Sequence, residues 1–142
     1  MTEPRAGTTT VEQIITMTVL AIIAGMAVVG GGPVLDAAAV EAASQQTVTL
    51  LAFARDQALA TGSSTAVRVD RASQRIIVHV ARDTLAMAAF ATSRVVLNAT
   101  RDSMAYGPSG LGAGAANLRI TLTRGRRADT ITVSRLGRVA RR

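Results

Sequence analysis

Thr8-Thr-Thr-Val-Glu12-Gln-Ile-Ile-Thr-Met-Thr-Val-Leu20-Ala-Ile-Ile-Ala-Gly-Met-Ala-Val-Val-Gly30-Gly-Gly-Pro-Val-Leu35 is the stretch on which the fold turns. Glu12 is a carboxylate at the head of 23 uncharged residues, Gln13 to Leu35. A charge at the end of so apolar a run is costly unless a cation meets it, so its presence asks for a partner. A helix over residues 13–35 rises about 34 Å at 1.5 Å per residue, enough to cross a hydrocarbon core of about 30 Å. The sequence therefore predicts a transmembrane helix over residues 8–35.

Gly30-Gly-Gly-Pro33 predicts an interruption of that helix, because each interior glycine costs about 1 kcal/mol and proline about 3 relative to alanine. Beyond it Val40, Ala43, Thr47, Leu51, Ala54 and Ala58 recur at steps of three and four, which predicts an amphipathic continuation over residues 36–62, stopped by Gly62. The period then changes to two. Val67 and Val69 alternate with Arg68 and Asp70, Arg71 to Gln74 form a polar turn, and Ile76, Val78 and Val80 answer them, which predicts a hairpin. Arg94 to Asn98 reads as a further strand, whereas the alanine-rich Thr84 to Thr92 gives no assignable pattern. Tyr106 to Gly114 reads as a loop on its glycine and proline content. Leu118, Ile120 and Leu122, then Ile131 and Val133, predict a last hairpin with a turn over Arg124 to Asp129. The expected class is α+β: a long N-terminal helix packed on an antiparallel β domain over residues 63–142, with a basic C-terminal tail.

The 142 residues contain no cysteine, which removes disulfides and cysteine-ligated metals. The net charge of +7 is unevenly placed. Residues 1–100 hold 7 Arg against 7 acidic groups, while residues 101–142 hold 9 Arg against 2 Asp. All 16 cationic side chains are arginine. His79 is the sole histidine and sits mid-strand, and neither a nucleophile with its base nor a phosphate-binding glycine motif appears, so no catalytic residue, cofactor or metal site is expected.

Met1 to Gly7 is a short polar leader, Glu12 is the fifth residue after it, and an apolar helix follows. This arrangement resembles the class III signal of type IV prepilins. With Leu51-Ala-Phe-Ala-Arg-Asp-Gln-Ala-Leu59, Tyr106-Gly-Pro-Ser-Gly110 and Ile131-Thr-Val-Ser-Arg-Leu-Gly-Arg-Val139, the chain resembles the GspH/FimT family of minor pilins and pseudopilins. It differs in carrying Thr8 where that family usually has Phe. The resemblance implies a structural subunit of a type II secretion pseudopilus or a type IV pilus, not an enzyme. It implies a leader over residues 1–7, cut between Gly7 and Thr8 by a prepilin peptidase, methylation of the new Thr8 amine, and Glu12 paired with the terminal amine of a neighbouring subunit. It also implies a single pass through the bacterial inner membrane, with the C-terminal domain in the periplasm or on the filament.

Two other readings stand beside it. A secretory signal peptide cleaved near Ala37-Ala-Ala39, or a plain anchor, accounts for the apolar run but not for Glu12. On the same fold, Arg119, Arg124, Arg126, Arg127, Arg135, Arg138, Arg141 and Arg142 form a cluster able to neutralise phosphates along DNA, as in FimT-like subunits of natural transformation. The ending Gly137-Arg-Val-Ala-Arg-Arg142 places its second arginine one position later than the Gly-Arg-x-Arg of that group. With Phe53, Phe90 and Tyr106 the only aromatics, such contact would be to the backbone, not to stacked bases.

Overall fold

The computed structural model describes residues 9–113 and 117–142, with the side chains of 26–30 outside the description. The predicted leader and Thr8 therefore lie outside the described residues. Helix α1 spans Thr10–Thr61. The strands among the described residues are β1 (Thr65–Asp70), β2 (Arg75–Val80), β3 (Asp83–Ala89), β4 (Val96–Ala99), β5 (Ser103–Tyr106), β6 (Gly112–Ala113), β7 (Leu118–Arg124), β8 (Arg127–Val133) and β9 (Val139–Arg141). The chain divides into a unit ending at Val34 and a unit Leu35–Arg142.

In the first unit Thr9 stands just before α1, and its hydroxyl lies 3.4 Å from the Glu12 amide, the position an N-cap takes. The Thr16 and Thr18 hydroxyls donate to the carbonyl oxygens of Glu12 and Ile14 at 2.8 Å, so two polar side chains turn inward on an otherwise apolar rod. Val11, Ile14, Ile15, Met17, Val19, Leu20, Ile22 and Ile23 are all exposed, between 48% and 74%. Among the described residues no helix is long and apolar enough to cross a membrane. The described side chains of residues 9–25 cover about 25 Å of rise, short of the roughly 30 Å a span requires, and the predicted segment continues into 26–30. The helix runs on through Gly30 to Pro33, where the sequence predicted an interruption. One proline removes a single N–H donor, and the bonds on either side keep the helical geometry.

The second unit has its own core. Val40, Ala43, Thr47, Leu51, Ala54 and Ala58 are all buried, as the three-and-four spacing predicted, and Gly62 ends α1 at φ +60°. Three of these are alanines, which allow the helix to lie close to the sheets. The β domain consists of two antiparallel sheets, ordered β3-β2-β1-β5-β6 and β4-β7-β8-β9. Val67, Val69, Ile76, Val78, Met104 and Tyr106 of the first sheet share one apolar cluster with Leu97, Leu118, Ile120, Leu122, Ile131 and Val133 of the second and with α1. Each such leucine or isoleucine contributes about 1.5–3 kcal/mol by leaving water.

Local chemistry sets the turns. The Asp70 carboxylate accepts from the amides of Ala72 and Ser73, which closes the β1–β2 turn and draws its pKa below the ordinary value, chiefly through Ser73. Gln74, at φ +54°, ends that turn and clasps the other sheet: its Oε1 accepts from the Leu97 amide at 2.5 Å and its Nε2 lies 3.4 Å from the Leu97 carbonyl oxygen. The alanine-rich stretch forms β3, whose Ala88 is buried against β2. The last turn is tighter than Arg124 to Asp129. Arg124 pairs with Arg127, leaving Gly125 and Arg126, with Gly125 at φ +56° in the first central position that a type II′ turn reserves for glycine.

Candidate functional site

The segments Tyr106–Gly110 and Ser134–Arg138, far apart in sequence, meet at one end of the second unit. Gly110 and Gly137 both sit at φ +71°. A Cβ on Gly137 would lie 3.3 Å from Tyr106 Cε1 and would overlap the Gly110 carbonyl oxygen. On Gly110 a Cβ would crowd the Leu59 methyls at 3.1 Å and Arg55 Nε at 3.2 Å. The backbones are tied as well: the Gly112 amide donates to the Arg135 carbonyl at 3.0 Å, and the Gly137 amide to Ser134 at 2.9 Å. Tyr106 is fully buried beneath them, and burial pushes its phenol up to about 12.

The basic cluster divides into structural and free members. Arg124 Nε pairs with Asp36 Oδ1 at 2.8 Å, and its Nη1 donates to the Ser93 carbonyl at 2.7 Å, which fastens the β7–β8 hairpin to α1. Arg141 reaches from β9 to two carboxylates: Nε to Asp129 Oδ2 at 2.5 Å, Nη1 to Glu41 Oε1 at 2.7 Å, and Nη2 to Glu41 Oε2. The Arg142 backbone pairs with Thr130 in both directions at 2.9 Å, so the tail lies along β8. Arg119, Arg126, Arg127, Arg135 and Arg138 are exposed and form no ion pair among the described residues.

The hydrogen bonds from Arg141, then that from Gln45, hold the Glu41 carboxyl at about 2, well below its ordinary 4.5. A depressed folded-state pKa adds stability above about pH 4.5, and that contribution disappears as the pH falls towards 2. The thermal midpoint of the wild-type chain should thus fall between pH 4.5 and 2 more steeply than that of Glu41→Gln, which has no group to titrate there. Parallel curves for the two chains would show that the bridge adds nothing.

Where the start of β7, the end of β8 and β9 meet the connection at residues 100–101 lies a groove of about 780 Å³ lined by Arg101, Arg119, Arg138, Thr100, Thr132 and Ser134 among others. The hydroxyls mainly hold the groove together: Thr100 Oγ1 accepts from the Arg119 amide at 3.1 Å, and Thr132 donates to the Ala140 carbonyl at 3.3 Å. The three guanidinium groups make it a concave cationic surface. Arg119 and Arg138 belong to the cluster read from the sequence, and Arg101 does not. Its neighbour Asp102 cancels it in any count along the chain, yet Asp102 pairs with Arg71 at 2.7 Å.

Glu12 occupies the first turn of α1, where a carboxylate favours the helix dipole, and its side chain has no ion-pair or hydrogen-bond partner among the described residues. Gly7 and Thr8 lie outside them.

The family model for the type II transport protein GspH matches residues 43–137. Among solved structures, the fold is similar to the type IV minor pilin FimU of Pseudomonas aeruginosa strain PAO1, with a TM-score of 0.63 and 10% identity over 71% of this chain and 86% of that one. It is similar too to the minor pseudopilin EpsH of the type 2 secretion system of Vibrio cholerae, with a TM-score of 0.59 and 11% identity over 72% of this chain and 95% of that one. At such identities the two structures speak to the fold alone. No curated protein matches the sequence.

Proposed function

The chain belongs to the GspH family of type II transport proteins, and from that premise we propose that it is a minor pilin or pseudopilin: a structural subunit anchored in the inner membrane by α1 and transferred into a periplasmic or surface filament. The observation that carries this is the largely apolar, exposed run from Val11 to Ile23 with Glu12 its only charge, joined in sequence to a domain that buries a complete core of its own. A helix apolar on every side needs lipid or other helices around it. Glu12, in the same region, needs a cation, and the terminal amine of a neighbouring subunit supplies one. Hydrolysis of the Gly7–Thr8 bond by the prepilin peptidase frees that amine, and the enzyme then methylates it.

Processing near Ala37 to Ala39 would instead strip Asp36 from its pair with Arg124 and leave Val40, a core residue, at the new terminus. Mass spectrometry of the mature chain tests the choice. An N-methylated Thr8 terminus is the expected result. A chain that retains Met1 to Gly7, or one that starts near Val40, overturns the proposal.

The cationic groove favours a second reading on the same fold, a DNA-capturing subunit for uptake in natural transformation. Three guanidinium groups on phosphates predict a slope of about −3 in log affinity against log salt. Retention of the chain on duplex DNA should fall accordingly and vanish when Arg101, Arg119 and Arg138 are changed to alanine together. Arg141→Ala would act through Glu41 and Asp129 and lower stability as well. Retention unaffected by the triple change would remove this reading.

A further inference from the structure

At the junction of the two glycine turns three leucines stand in water: Leu59 at 49% exposure, Leu111 at 46% and Leu136 at 71%. Isolated exposed leucines are ordinary, but these sit together. The Leu59 side chain lies against Gly110, Leu111 follows Gly110 directly, and Leu136 precedes the Gly137 that abuts the same carbonyl. The loops presenting them are tied by several backbone hydrogen bonds. Amides of Gly107, Gly110, Gly112, Ser134 and Gly137 donate at 2.9 to 3.0 Å within or between the two turns, and the Arg138 amide lies 3.3 Å from Ser134 Oγ. Rigid presentation lowers the entropy lost on docking. Arg55 and Arg135 flank the leucines, both exposed.

We propose that this junction docks a different subunit of the same filament, one that offers an apolar pocket rimmed by carboxylates. The inference rests on the filament reading above. Charge selects the partner. Most acidic groups of the second unit are already engaged: Asp36 with Arg124, Glu41 and Asp129 with Arg141, Asp102 with Arg71, and Asp70 with its own turn. A second copy of this chain thus has few carboxylates to set against Arg55 and Arg135, and an acidic surface on another polypeptide meets them better.

The test uses the full-length chain in cells that make the rest of its machine, with a photoreactive benzoyl-phenylalanine at position 111. Irradiation should join it to another filament subunit through an acidic segment. Leu136→Asp should lower the yield at least tenfold, while Met87→Asp, on the exposed face of β3, should leave it unchanged. Because Leu136 is largely exposed, the variant should keep the thermal midpoint of the wild type. If it does not, Arg135→Glu takes its place with the same expected loss. Adducts only to lipid or to another copy of this chain, or a yield indifferent to the substitution, would overturn the proposal. A Glu12→Ala control separates the two ideas: if that variant assembles normally the filament reading itself fails, and if it does not while Leu136→Asp has no effect, only the docking surface falls.

Discussion

Gly137→Ala should lower the stability of the domain by about 2–5 kcal/mol, a large share of the roughly 5–15 kcal/mol that holds a typical domain folded. Two effects add. At φ +71° an L side chain costs about 1–2 kcal/mol. The added methyl would also meet the Gly110 carbonyl oxygen and the Tyr106 ring, both fixed by their own packing, and overfilling a tight site costs about 1–3 kcal/mol more. Gly62→Ala is the natural comparison, since Gly62 has φ +60° with open space around it and should show only the backbone part. Urea denaturation of both variants measures the difference. Equal midpoints would mean that the close approach of the two turns carries no energetic weight.

Glu12→Ala should abolish assembly while leaving leader cleavage and helix content intact. Its favourable effect on the helix dipole is worth at most about 1 kcal/mol and does not depend on other subunits. Pairing with a terminal amine at about 4 Å is worth about 4 kcal/mol at an effective dielectric of 20, or nearly a thousandfold in an association constant. The larger effect is therefore the one that only assembly reveals. Glu12→Gln should fail to assemble like Glu12→Ala, because it keeps the shape but loses the charge, and Glu12→Asp should retain partial function. Filament incorporation measured by cross-linking decides the matter, and wild-type levels for Glu12→Gln would exclude the ion pair.

The sequence showed most clearly what has a period. The buried stripe from Val40 to Ala58 and the alternating Leu118, Ile120 and Leu122 were legible because the helix and the strand each repeat their inward positions. β3 was not, because alanine has little strand preference and its exposed face carries Leu85 and Met87, which hides the alternation. The width of the last turn is hidden for a related reason: Asp129 looks like a turn residue, but its carboxylate accepts from Arg141. The division of the basic cluster was also hidden, since Asp36 and Glu41 lie on α1, many residues from the Arg124 and Arg141 they neutralise. Arg101 is hidden too, because charge counted along a chain does not distinguish a neighbour in sequence from a partner in space.

The Gln74 amide spans from the end of one β-turn to a strand of the opposite sheet, where it stands in for a missing ladder rung. Deuterium uptake at the Leu97 amide should therefore report on the loop at residues 71–74, not on its own strand. Lengthening that loop by even one residue would withdraw the amide and loosen the seam between the sheets, while the core they share keeps them together.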